Sequence, residues 1–158
     1  MAVDDVVAAV AAYPAKLVEI TGGEPLLQDE ALDLLQALHG AGYELLLETN
    51  GSIYIGDVPD YVTRIVDVKC PGSGHGGSFM KWNLKLLSAR DELKFVITNY
   101  PDYRFALEFI AEHGLQGRTI HFSPVTSVLP AKTIAAWMLE DGVTARLQLQ
   151  LHKSLQLP

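Results

Sequence analysis

Leu17-Val18-Glu19-Ile20-Thr21-Gly22-Gly23-Glu24-Pro25-Leu26-Leu27-Gln28 is the stretch whose reading decides the fold. A short apolar strand runs into two glycines, a carboxylate and a proline, and apolar residues then lead toward a helix. A plain turn needs one glycine. Two glycines at a strand's carboxyl end lay backbone open, because no Cβ stands between the chain and a ligand. Exposed carbonyls beside Glu24 suit a ligand ammonium group. The same residues also suit a tight turn ahead of a helix capped by Asp29, and the stretch alone leaves both readings standing.

Strand and helix patterns alternate on either side of it. Residues 3–13 are rich in Ala and Val behind Asp4-Asp5, an acidic start that fits a helix amino terminus. Lys16 to Thr21 reads as a buried strand. After Asp29, Leu32, Leu34, Leu35 and Leu38 recur at helical spacing until Gly40 and Gly42. Glu44 to Glu48 is the next strand, broken by Asn50-Gly51, and Arg64 to Lys69 the third, followed by the loop Cys70–Gly77. Trp82 to Ala89 predicts a helix and Glu92 to Thr98 a strand. Asp102 is expected to cap a helix carrying Phe105, Phe109 and Ile110 that closes at Gly114. Thr119 to Val125 is strand then loop, Ala131 to Leu139 a helix, and Arg146 to Leu151 a final alternating strand. Repeated βα units predict an α/β fold with a parallel sheet, open or closed into a barrel, in one domain over residues 1–158.

In such folds ligands bind at the carboxyl ends of the strands. The unusual residues gather there. Thr21–Pro25 follows one strand, Thr49-Asn50-Gly51 another, Pro71–Gly74 a third and Ser123-Pro124 a later one, while His152-Lys153 ends the last. That rim is the expected site. Asp67 and Lys69 share one face of their strand, as do Glu92 and Lys94 on the next, so each couple is either a buried structural pair or a polar ligand contact. Gln148, Gln150 and His152 line one side of the last strand, either a barrel lumen or an exposed sheet face. The loop Pro71–Gly77 matches neither the P-loop nor the dinucleotide fingerprint. None of His39, His75, His113, His121 and His152 shows the spacing of a helical zinc site. Trp82 and Trp137 are expected in the core.

Bulk properties narrow the class. A net charge of −7 argues against a nucleic-acid partner, which would want a basic face. The single cysteine, Cys70, excludes an internal disulfide and fits a reducing cytoplasm. No apolar run reaches the ~18 residues of a membrane span, and no secretory signal is visible.

Taken in order, "TGGEPLLQ", "ETNGS", "DVKCPGSG", "ELKFVI" and "HFSPV" make the chain resemble the radical S-adenosylmethionine (SAM) superfamily, and within it 7-carboxy-7-deazaguanine synthase. Glycyl-radical activating enzymes share parts of the pattern. The resemblance implies an incomplete parallel (βα) barrel. It also implies ring contraction of 6-carboxy-5,6,7,8-tetrahydropterin to 7-carboxy-7-deazaguanine, on the route to queuosine, with a 4Fe–4S cluster and magnesium in the family. Carried over by position, Gly22, Gly23, Glu24 and Pro25 would meet the SAM methionyl amine. Asp67, Val68 and Lys69 would contact SAM from their strand, and Ser123, Pro124, Val125 and Thr126 from a second loop. Thr21 and the terminal carboxylate of Pro158 would reach the pterin.

One departure is large. The family carries three clustered cysteines upstream of the GGEP motif, whereas Met1 to Thr21 holds none. The first βα unit, the cluster ligands and the magnesium loop are expected to be absent, and catalysis by this polypeptide alone with them, since iron–sulfur clusters are held by thiolates. An uncovered sheet edge would favour a homodimer. Two other functions compete: a non-catalytic SAM-binding or scaffold protein, and a fragment of a glycyl-radical activating enzyme.

Overall fold

Val-, Ile- and Leu-rich runs bounded by turn residues become the strands, and a helix or a 3-10 turn follows most of them. The computed structural model describes residues 1–74 and 76–149. The elements run α1 (Val3–Ala11), β1 (Leu17–Ile20), α2 (Ala31–Gly40), β2 (Glu44–Thr49), β3 (Val62–Val68), β4 (Glu92–Ile97), α3 (Tyr100–Glu112), β5 (Thr119–Pro124), α4 (Ala131–Glu140) and β6 (Arg146–Leu147). Two compact units emerge: residues 1–66 with 80–91, and residues 67–79 with 92 onward. Every strand pairing described within a unit is parallel, as the βα alternation requires.

In the first unit β1 pairs β2 from Leu17↔Glu44 to Ile20↔Leu47, and β2 pairs β3 from Leu45↔Val62 to Thr49↔Val66. The period of two sends Leu45 and Leu47 inward, where Leu35 and Leu38 of α2 meet them with Tyr43, Val58 and Val62. Val7 and Val10 of α1 pack on the same cluster. Leu35 and Leu38 are wholly buried, and each such side chain stabilises by about 2 kcal/mol.

In the second unit β4 pairs β5 from Glu92↔Thr119 to Ile97↔Pro124, and β5 pairs β6 at His121↔Arg146 and Phe122↔Leu147. One face carries Leu93, Phe95, Ile97, Ile120 and Phe122, all buried. Aromatic contacts close it against the helices: Phe95 edge-on to Phe109, and Tyr103 edge-on to Phe122 and tilted against Trp137. The opposite face presents Glu92, Lys94, His121 and Ser123, the last two standing opposite Lys94 and Val96.

Five local expectations need correction. The amino cap of α3 is Asn99, whose side chain accepts the Asp102 N–H, so Asp102 lies inside the first turn. Pro101 precedes it, where a missing N–H costs nothing. Residue Glu30, not Asp29, occupies the cap of α2, and it makes no side-chain cap bond. Residues Lys81–Leu86 form a 3-10 segment rather than an α-helix. Its three-residue turn faces Asn83 inward and leaves Trp82 57% exposed beneath the Lys85 ammonium, so Trp82 is not core. The final strand is assigned over Arg146–Leu147, and Gln150 to Pro158 lie outside the described residues.

Candidate functional site

The Thr21–Pro25 turn is held by its own glutamate. Gly22 and Gly23 have φ of +102° and +38°, a region that only glycine enters without strain, and a Cβ on either would meet open space. Glu24 then turns inward to 8% exposure. Its Oε1 accepts the Thr49 hydroxyl at 2.8 Å and the Leu26 N–H at 3.2 Å, and its Oε2 accepts the Asn50 N–H at 2.7 Å. A cavity of about 400 Å³ opens beside the turn, lined by Thr21, Gly22, Gly23, Glu24, Pro25 and Gln28 among others.

The turn after β2 is held as tightly from its other side. Gly51, at φ +68°, donates its N–H to Thr49 Oγ1, while the Asn83 carboxamide donates to the Gly51 and Ile53 carbonyls and accepts from the Ile55 N–H. Asn83 is fully buried, and all these partners satisfy it. Deeper in this unit Arg64 donates through Nε and Nη2 to Asp91 at 3.1 and 2.6 Å, and to the Ile55 and Leu86 carbonyls. Burial alone would raise the Asp91 carboxyl. The hydrogen bonds from the Arg64 side chain, the Arg64 and Ser88 N–H groups, and the guanidinium charge outweigh it and hold the group below the usual carboxylate range.

In the second unit Lys69 Nζ lies 2.6 Å from Asp67 Oδ2, so the expected couple on β3 is a real ion pair, with Asp67 buried and Lys69 partly open. Val68 between them is 1% exposed and turned to the core, leaving only its backbone for a ligand. On β4 the pairing differs from the i, i+2 expectation: Glu92 Oε2 meets His121 Nε2 of β5 at 2.6 Å. Cys70 is wholly buried, and burial with the Asp102 and Asp67 charges pushes its thiol up to about 12. The loop beyond it uses up its own amides. Ser73 and Gly74 donate to the Cys70 and Pro71 carbonyls, and Gly72 donates to Asp102 Oδ1 at 2.8 Å. A phosphate cradle is therefore not offered by these three N–H groups.

Ser123 is 1% exposed, and its Oγ has no hydrogen-bond partner among the described residues. Pro124 is buried, Val125 donates to the Ile97 carbonyl at 3.0 Å, and Thr126 is exposed. On the last strand Leu147 and Leu149 are 37% and 41% exposed while Gln148 is more covered, which puts the polar side inward at that position. Pro158 and His152 lie outside the described residues. Sequence reasoning missed Thr49, Asn83 and Thr98 as the groups that fix the rim, although the "ETNG" stretch carried a signal for the first.

Curated relatives match along most of the chain. The 7-carboxy-7-deazaguanine synthase of Koribacter versatilis is 44% identical over 160 residues, covering 92% of this chain and 71% of the relative. That of Chlorobaculum tepidum is 40% identical, covering 100% and 74%.

The chain belongs to the 7-carboxy-7-deazaguanine synthase family.

No family model matches the chain. Among solved structures, Streptococcus suis SuiB superposes with a TM-score of 0.62 at 15% identity, over 95% of this chain and 43% of SuiB. SuiB bound to S-adenosylmethionine gives a TM-score of 0.56 at 14% identity, over 85% and 38%. At that identity the likeness establishes the α/β fold alone, and the chain spans less than half of SuiB. The side chains present do not suit an iron–sulfur cluster. The chain's one cysteine is buried with a raised pKa, and no group of three metal-binding side chains occurs among the described residues.

Proposed function

We propose that this chain binds S-adenosylmethionine along its strand-end rim and serves the 7-carboxy-7-deazaguanine synthase reaction, the ring contraction of 6-carboxy-5,6,7,8-tetrahydropterin. Membership in the family carries the reading of the reaction, and the open backbone at Gly22-Gly23 carries the reading of the site. The two glycines give a ligand ammonium close access to carbonyls, and Glu24 holds them in place and adds negative charge. Asp67 and Lys69 offer a paired acid and base to the ligand's polar groups. The Ser123 hydroxyl, buried without a partner among the described residues, is an available donor or acceptor, with the backbone of Val125 and Thr126 beside it. By its position directly before the GGEP turn, Thr21 is our candidate contact to the pterin.

When bound, S-adenosylmethionine supplies the 5′-deoxyadenosyl group that takes hydrogen from substrate in this family. The residues of this chain supply no thiolate set for the accompanying cluster, so reductive cleavage lies beyond them. That observation favours a second reading, a non-catalytic SAM-binding protein. Calorimetric titration of the chain with S-adenosylmethionine, then with the pterin, tests the proposal. Saturable one-site SAM binding followed by pterin binding supports it. SAM binding without pterin binding favours the second reading, and no heat at millimolar SAM removes both.

A further inference from the structure

Two buried carboxylates in this chain are used in the same way. Each accepts a main-chain N–H from a loop that follows a strand, together with the hydroxyl of a threonine at a strand's end. Glu24 does so with Asn50 N–H and Thr49 Oγ1. Asp102 does so with Gly72 N–H at 2.8 Å and Thr98 Oγ1 at 2.5 Å, and it takes the Thr98 N–H at 3.1 Å as well.

The usual reasons for an aspartate here explain only part of what Asp102 does. Asn99 caps α3, and Asp102 returns an acceptor to the Thr98 N–H in the manner of a capping box, but capping does not account for its bond to the Gly72 N–H. An acid that merely complements the helix terminus can stay in water, yet Asp102 is 1% exposed. A carboxylate buried that deeply requires donors around it, and three converge on its two oxygens.

Gly72 shows how close the grip is. A Cβ on it would lie 2.5 Å from Asp102 Oδ2, 2.6 Å from Thr98 Oγ1 and 2.9 Å from Asn99 Nδ2. No side chain fits between the loop and the carboxylate. The segment leaving β3 is thereby fixed at Gly72, three residues beyond Lys69, while Ser73 Oγ donates to the Cys70 carbonyl at 2.6 Å and tightens the intervening turn.

We propose that Asp102 is a positioning residue for the SAM site: by holding the Gly72 amide it sets the path of Lys69–Gly74, and so the aim of the Asp67–Lys69 pair at the ligand. The inference rests on reading the rim as a SAM site. Asp102→Asn is the first test, because it keeps the size of the side chain and turns an N–H₂ toward donors that need an acceptor.

The readouts are SAM affinity by calorimetry, at a temperature where circular dichroism shows the variant fully folded, and hydrogen exchange at the Gly72 amide. Asp102→Asn is expected to weaken SAM binding by about tenfold or more and to speed Gly72 exchange, since a preorganised loop becomes one that the ligand must order. A folded Asp102→Asn chain with wild-type SAM affinity overturns the proposal, as does unchanged protection of the Gly72 amide. If Asp102→Asn does not fold, Gly72→Ala decides on the same two readouts, because it keeps the carboxylate and crowds the grip. Failure of the wild-type chain to bind SAM is a different result, which removes the rim reading and this inference with it.

Discussion

The Thr49 hydroxyl sits 2.8 Å from Glu24 Oε1, joining the end of β2 to a turn twenty-five residues earlier in the chain. With the Asn50 N–H at 2.7 Å on the other oxygen, the Glu24 side chain is the tie between two rim loops of its unit. Removing it leaves a buried hydroxyl and two amides, of Leu26 and Asn50, without that acceptor. Glu24→Ala is expected to lower unfolding free energy by about 2–4 kcal/mol, read from urea melts, and to weaken SAM binding by about tenfold or more. Thr49→Val removes two bonds, the one its hydroxyl donates to Glu24 and the one it accepts from the Gly51 N–H, and should cost about 1–3 kcal/mol. Unchanged SAM affinity in a folded Glu24→Ala chain would refute this account of the GGEP turn.

The Arg64–Asp91 pair predicts an acid-labile first unit. Both side chains are almost fully buried, at 5% and 0% exposure, and the guanidinium also reaches two carbonyls. Asp91 is depressed in the folded state from its ordinary 3.8, so it contributes stability that is fully present above that value. The contribution is lost as pH falls through the lower folded pKa. Urea midpoints of the wild-type chain should therefore drop as the solution is acidified below about pH 4. Arg64→Ala leaves a buried charge unpaired and should cost about 3–5 kcal/mol near neutral pH, with a flatter profile on the acid side. A pH profile that does not flatten in Arg64→Ala would show that other carboxylates set the acid limit.

How much of this was legible in advance follows a physical line. Period-two and helical runs located β1 to β5 and the four helices because the core contacts of Leu35, Leu45, Phe95 and Phe122 depend on spacing alone. The strand-end turns at Gly22-Gly23 and Gly51 were legible as turns, since glycines there are visible in sequence. What held them was not. Glu24–Thr49 and Gly72–Asp102 join residues distant along the chain, and a carboxylate near a helix start reads as a cap until the fold shows Asn99 doing that work. The Lys81–Leu86 segment misled for another reason: a 3-10 turn moves the buried position onto Asn83 and sends Trp82 outward.

Cys70 should be chemically quiet. Its side chain is wholly buried, and a thiol raised to about 12 stays protonated at neutral pH, whereas the thiolate is the reactive form. Labelling by iodoacetamide at pH 8 should proceed only through opening of the structure, and so accelerate in urea in step with unfolding. Rapid labelling of the folded chain, at the rate of a free cysteine, would contradict the burial.

Tyr103 is the largest fully buried side chain among the described residues, and its hydroxyl donates to Asp141 Oδ2 at 2.9 Å, linking α3 to the end of α4. Packing and hydrogen bond are separable there. The ring meets Phe122 edge-on at 5.8 Å and Trp137 at 5.4 Å, contacts that phenylalanine keeps. Asp141 is exposed, so water replaces the lost donor on its side. Tyr103→Phe should therefore cost only about 1 kcal/mol, a small downward shift in melting temperature. Tyr103→Ala also opens a cavity between helix and sheet and should cost about 3–5 kcal/mol. Equal losses in the two variants would mean that the bond to Asp141, rather than aromatic packing, secures α3 on the sheet.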